Sequence, residues 1–186
     1  MGEYNGTVVQ GRRMAYESAT EWLLKLIVWE FFCTLTWDSR ARSCVRKRRQ
    51  HVTRWLRYWA RTVGRELDEI SFVIRWERGE IGGLPHCHIL IARLPLRSIN
   101  PSTCFAMKNT WKHGMAYVRL FNPYSEGDVC RYMSKGRFSS AADCEGANTY
   151  ELRKFNRADR IFISPGAWAE MREARTVGMR MSPLLT

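Results

Sequence analysis

The run Pro85-His86-Cys87-His88-Ile89-Leu90-Ile91 constrains this chain more than any other stretch. Its second half is apolar, and a glycine-bearing segment precedes it, so it reads as a β-strand entered from a turn. On a strand, residues i and i+2 share a face. His86 and His88 then present two imidazoles side by side, and Cys87 points to the opposite face, into a core. Polar groups on a buried face cost free energy unless they have partners. Two imidazoles on one rigid element are half of a metal site. The alternative is a pair satisfied by ordinary structural hydrogen bonds.

The other half has candidates nearby. Glu77 ends the preceding strand, residues 71–77, and Gly79, Gly82 and Gly83 fold the chain back as a hairpin, with the next strand over 84–92. Glu77 is thereby returned toward His86 and His88. Glu80, in the turn, is the alternative ligand, because the register is not readable from sequence. Two imidazoles and one carboxylate suit a divalent ion that keeps open positions, which phosphate oxygens can fill around Mg²⁺ or Mn²⁺.

The charge balance says what kind of partner to expect. Thirty Lys and Arg stand against eighteen Asp and Glu, a formal net charge of +12. An anionic partner follows, and nucleic acid is the commonest one, all the more with eight Trp, seven Tyr and eight Phe present. The 186 residues suit one domain with a sizeable core. Six cysteines lack any CxxC spacing and mostly sit in apolar surroundings, so reduced, buried thiols in a cytoplasmic protein are expected. No membrane span is expected, since the apolar stretch over 22–37 is interrupted by Lys25 and Glu30.

Along the chain, residues 1–17 read as a loose polar segment, 18–177 as a single domain, and 178–186 as a polar tail. A short helix is expected over 18–26 and a strand over 28–37. Asp38 or Ser39 then caps a long helix reaching about Leu67. Its apolar positions, Val45, Val52, Trp55, Leu56, Trp59 and Val63, recur at helical spacing. Its other face carries Arg46, Arg49, Arg54, Arg57, Arg61 and Arg65, which could track phosphates or simply face solvent. After the hairpin come a helix over 102–113 with Gly114 as its C-cap, a strand over 115–121, and a helix opened by a capping box at Ser125 and stopped at Gly136. A Gly/Ser/Asn-rich loop, a short strand over 160–164 and a helix over 166–175 follow. The order β-α-β-β-α-β is the split-βαβ, ferredoxin-like one: an α+β fold with an antiparallel sheet of about five strands and helices on a face.

Tyr132-Met133-Ser134-Lys135 adds a nucleophile. Tyr132 and Lys135 lie i, i+3 on a helix and share a face. A phenol with pKa near ~10 is a weak nucleophile at neutral pH. A polarised phosphodiester and a nearby ammonium lower the cost of the phenolate and neutralise charge on the phosphate. Alone the pair is a weak signal; beside His86 and His88 it gains weight.

Taken together, these motifs resemble the Rep-type HUH endonucleases, the rolling-circle replication initiators of plasmids and single-stranded DNA viruses. Phe31-Phe32-Cys33-Thr34-Leu35-Thr36-Trp37 resembles the family's first motif, an apolar strand with threonines. Pro85-His86-Cys87-His88-Ile89-Leu90 resembles the second, and Arg131-Tyr132-Met133-Ser134-Lys135 the third. Trp111-Lys112-His113-Gly114 also fits the pattern, and the resemblance spans residues 28–136. It implies that His86, His88 and an upstream acid, Glu77 ahead of Glu80, hold Mg²⁺ or Mn²⁺, and that the ion polarises the scissile phosphate. It implies that Tyr132 attacks, stays linked to the DNA 5′-phosphate and frees a 3′-OH, while Lys135 helps position the phosphate or the metal site. The implied partners are single-stranded or hairpin origin DNA and a separate helicase from a prokaryotic host, since the sequence carries no P-loop.

Three rivals differ in their sequence marks. Conjugative relaxases resemble a permuted order with the tyrosine first, whereas Tyr132 follows His88 by 44 residues. Single-tyrosine HUH transposases share the order, but their tyrosine helix more often carries a Gln partner than a Lys. A non-catalytic ferredoxin-like nucleic-acid-binding module would carry an RNP-like aromatic strand, and none is found.

Overall fold

The computed structural model describes residues 21–38, 45–78, 84–122, 124, 126–134 and 161–181. The expectations for residues 1–17, Cys44, the glycine turn with Glu80, Ser125, Lys135, Gly136, Cys144, the loop after it and the end of the tail lie outside them.

Five strands form one antiparallel sheet in the order β4-β1-β3-β2-β5. They are β1 (Phe31–Thr36), β2 (Ser71–Arg78), β3 (Pro85–Ala92), β4 (Ala116–Leu120) and β5 (Ile161–Ile163). The helices are α1 (Val45–Thr62), α2 (Pro101–Thr110), α3 (Glu126–Ser134) and α4 (Pro165–Met181). Up to β4 the β-α-β-β-α-β order is the one read from the sequence. The hairpin β2–β3 forms as expected, and β3 lies between β1 and β2, antiparallel to both.

Helices cover both faces of the sheet, not one. β3 explains why: its apolar run leaves Cys87, Ile89 and Ile91 buried on one face, and Leu90 and Ala92 buried on the other. A strand apolar on both sides needs cover on both. On the first face, Phe31, Cys33, Leu35, Ile74 and Ile89 pack with Val52, Trp55, Leu56, Trp59 and Ala60 of α1, and with Cys104 and Met107 of α2. On the second, Trp29, Val73, Leu90 and Ala92 pack with Val129, Cys130 and Met133 of α3, and with Ala167 and Met171 of α4. Cys33, Cys87, Cys104 and Cys130 are buried thiols outside any disulfide, as expected.

Helix ends also depart from expectation. α1 stops at Thr62, where Gly64 takes φ +78° and its amide reaches the Arg61 carbonyl. This is a left-handed C-cap that only glycine adopts without strain. α2 starts on Asn100, whose side-chain oxygen accepts the Thr103 amide at 2.9 Å, with Pro101 in its first turn. It ends at Thr110, so Gly114 is not its cap. Gly114 has φ +155° and lies against the Thr36 carbonyl, where a Cβ would collide with backbone. α4 runs on to Met181 rather than stopping near residue 175. Among the described residues no helix is long and apolar enough to cross a membrane.

Candidate active site

The β2–β3 register aligns Glu77 with His86 and Arg75 with His88. These four side chains share the face covered by α3 and α4. β1 continues the row on the far side of β3, with Thr34 opposite His88 and Thr36 opposite His86. The β2–β3 pairing thus places Glu77 beside the histidines.

Glu77, His86 and His88 form a cluster whose donor atoms lie within 4.8 Å of one another. Glu77 Oε2 is 3.3 Å from His86 Nε2 and 3.4 Å from His88 Nε2. Ligand atoms about 2.0–2.2 Å from a shared cation lie roughly 3–3.5 Å apart, so this donor set fits one ion. The remaining ring nitrogens are engaged as metal-binding imidazoles require. His86 Nδ1 lies 3.3 Å from the Leu84 carbonyl, to which it can only donate, so in the neutral ring the lone pair is on Nε2, the atom that faces Glu77. His88 Nδ1 is 2.9 Å from Thr34 Oγ1, and donation in that direction gives His88 the same tautomer. The Phe32 ring stacks on His88 at 5.7 Å and limits its rotation.

α3 delivers Tyr132 to this cluster. Its hydroxyl donates to Glu77 Oε2 at 2.6 Å and lies 3.1 Å from His88 Nε2. Val129, Cys130 and Met133 bury the helix against the sheet, and that packing sets where the phenol lands. Lys135 lies outside the described residues.

Sequence reasoning missed Arg75. It is 3% exposed, in mid-strand, and two residues from Glu77 on the same face. Its Nε donates to Glu77 Oε1 at 2.6 Å, and one terminal nitrogen donates to the carbonyls of Tyr132 at 2.6 Å and Met133 at 2.8 Å. Those carbonyls belong to the last described turn of α3, toward the negative end of the helix dipole. One guanidinium therefore ties the carboxylate to the end of the tyrosine helix. The alternation Val73, Arg75, Glu77 was the signal available. Thr34 was noted only as part of a motif, and the structure makes it the partner of His88.

Electrostatics follow from these contacts. Burial would raise the Glu77 pKa, but the contacts with His86 and His88, the hydrogen bond from Tyr132 and the charge of Arg75 outweigh it and hold the carboxyl well below its usual range. The Glu77 hydrogen bond raises His86, partly opposed by burial. Burial and then the Glu77 hydrogen bond push the Tyr132 phenol well above its ordinary value.

The arginines of α1 are not brought to this cluster. Arg46, Arg49, Arg54 and Arg57 are exposed on a helix that packs on the opposite face of the sheet.

The model of one family, described as replication-associated protein ORF2/G2P, matches residues 30–137, more than half of the chain and every described residue of the cluster. No curated protein and no solved structure matches the chain.

Proposed function

The chain belongs to the replication-associated protein ORF2/G2P family, and from that premise we propose that it initiates rolling-circle replication by nicking and rejoining single-stranded DNA, as an HUH endonuclease. The observation that carries this reading is the Tyr132 hydroxyl, 3.1 Å from His88 Nε2 and 2.6 Å from Glu77 Oε2. A helix-borne phenol docked on a three-donor cluster is what a metal-assisted tyrosine nucleophile needs.

His86, His88 and Glu77 would hold Mg²⁺ or Mn²⁺, which supplies Lewis-acid polarisation of the scissile phosphate. The protein's own groups do the rest. Tyr132 Oη forms the new bond to phosphorus, the P–O3′ bond breaks, and the DNA is left with a 3′-OH and a 5′-phosphotyrosine link. The phenol loses one proton and the leaving oxygen gains one. The number of phosphoester bonds is unchanged, so the reverse attack by a 3′-OH rejoins the strand. Arg75 holds the Tyr132 end of α3 on the sheet while its charge keeps Glu77 ionised. Lys135, three residues after Tyr132, is assigned to the phosphate. Origin DNA is the partner, single-stranded or as a hairpin, and strand separation is assigned to a separate helicase.

The test is adduct formation. Incubated with Mn²⁺ and single-stranded oligonucleotides of its replicon's origin, the protein is expected to give a denaturation-resistant protein–DNA adduct and a free 3′-OH fragment. Tyr132→Phe should give none while still binding DNA, and an adduct with that variant would remove Tyr132 from its role. His88→Ala should abolish metal-dependent cutting.

A further inference from the structure

A cavity of about 410 Å³ opens on the other side of the sheet from Tyr132, between α1 and the segment joining α2 to β4. His51, Arg54, Tyr58, Trp111, Lys112 and His113 line it. It absorbs the Trp111-Lys112-His113 motif, which has no part in the cluster around Glu77. We propose that this cavity is a second nucleic-acid site, which takes one unstacked nucleotide of the DNA strand that reaches Tyr132, its base against Tyr58 and its phosphate between Arg54 and Lys112. The proposal rests on the reading of the chain as a single-strand nicking enzyme.

The floor and the rim have different chemistry. Trp111 Nε1 donates to the Thr36 carbonyl at 2.9 Å, and Trp55 Nε1 to Thr110 Oγ1 at 3.1 Å. The indole donors beneath the cavity are therefore satisfied within the protein, and the floor has only ring surface left to offer. Tyr58 is 54% exposed, an aromatic face in solvent that the core does not use. Exposed aromatic rings beside cationic side chains are how single-stranded nucleic acid is held: bases stack and phosphates pair. Arg54 and Lys112 are both exposed at the rim. The volume falls in the range of small-ligand pockets, and an anionic ligand suits the chain's net charge of +12.

His51 and His113 add a polar edge. Their rings stack at 3.6 Å between centroids and 5° from parallel. His51 Nδ1 accepts from Trp37 Nε1 at 3.3 Å, so in the neutral ring Nε2 carries the proton and is a donor. Burial, the facing imidazole and Arg54 and Lys47 lower His51; burial and Arg54 lower His113 against the opposing pull of Asp38. Both rings thus favour the neutral form in which they stack.

The end of β1 joins this cavity to the cluster. Thr36 pairs with His86, the Trp37 amide donates to the Pro85 carbonyl at 3.2 Å, and the Asp38 amide donates to the His113 carbonyl at 3.0 Å. The His113 backbone is therefore about two strand spacings across and two residues along the sheet, roughly 12 Å, from that of His86. Nucleotides of one strand can occupy both places.

The test uses full-length protein carrying Tyr132→Phe, so that nothing is cut. Its affinity is measured for a labelled oligothymidine of about 16 nucleotides and for an abasic strand of equal length. Tyr58→Ala is expected to weaken oligothymidine by roughly 5- to 100-fold and to leave the abasic strand unchanged, while Tyr58→Phe keeps full affinity. Lys112→Gln should weaken both strands alike and reduce the salt slope by about one. Equal effects of Tyr58→Ala on the two strands, or no effect on either, would overturn the proposal. A wild-type protein that forms no adduct with any strand, yet shows the Tyr58 difference, would leave the cavity a nucleotide site and remove the nicking reading.

Discussion

Arg75 is the residue on which the proposed site depends most after its own ligands. It is buried, and it pairs with a carboxylate and two helix-end carbonyls at once. Removing one partner of a buried ion pair leaves the other uncompensated and costs about 3–5 kcal/mol. Arg75→Met is expected to lose that much stability in urea denaturation, and to lose nicking more steeply than stability, because α3 is no longer tied to Glu77. Arg75→Lys should rescue little, since one ammonium cannot reproduce a planar fork that serves three acceptors. A loss under about 1 kcal/mol, the scale of an exposed pair, would show that Arg75 does not bridge. The stacked histidines carry a pH dependence of the opposite origin. Folding lowers both pKa values, so the unfolded chain binds more protons in the window below the ordinary histidine value of about 6.5. Their contribution to stability is complete above that value and is lost as pH falls through the lowered folded values. His51→Gln should flatten the stability profile over that window, as measured by denaturation at a series of pH values.

Two glycines show what an element needs at its ends. Gly64 turns α1 off with φ +78° and has open space where a Cβ would go. Gly114, at φ +155°, has the Thr36 carbonyl and the Asp38 amide there. Gly64→Ala should therefore cost about 1 kcal/mol, the left-handed penalty alone. Gly114→Ala should cost roughly 3 kcal/mol, because backbone must also move and β1 is paired on both sides at that point. Thermal unfolding of the two variants checks the order. The elements themselves were legible. Aromatic and β-branched residues marked β1, helical spacing marked the face of α1 that Trp55 and Trp59 bury, and the glycines before Leu84 marked the hairpin. What misled was the glycine at 114, read as a local cap when its partner is a carbonyl 78 residues earlier in the chain. A glycine's local context does not distinguish a helix end from a close backbone approach, since both favour the same residue. The second helical layer was missed for a related reason. The pattern of β3 carries its demand for two covered faces, but not which helices meet it.

At the scale of the molecule, the cluster draws on three separated parts of the chain: β1, the β2–β3 hairpin and α3. His86, His88 and Tyr132 could be picked out from motif spacing alone. Glu77 could be named, with Glu80 as its alternative, but its place beside His86 could not, and Arg75 could not be named, because both depend on pairing across β2 and β3 and on where α3 docks. If a cation binds Glu77, His86 and His88, it joins adjacent strands of the sheet and displaces the hydrogen bond that the Tyr132 hydroxyl now donates to Glu77. Binding to the folded state alone stabilises by about 2.7 kcal/mol at a hundredfold excess over Kd. For a chain of this size that is a rise of roughly 5–10 °C in unfolding temperature. Mn²⁺ titrated against the wild-type protein should give such a rise, and chelation should reverse it. His88→Ala and Glu77→Gln should remove the shift, whatever their own metal-free unfolding temperatures. Tyr132→Phe should keep it, because the phenol is a neighbour of the donor set and not part of it. A Mn²⁺ response that survives in His88→Ala would place the ion elsewhere on the protein, and with it the chemistry assigned to this end of β3.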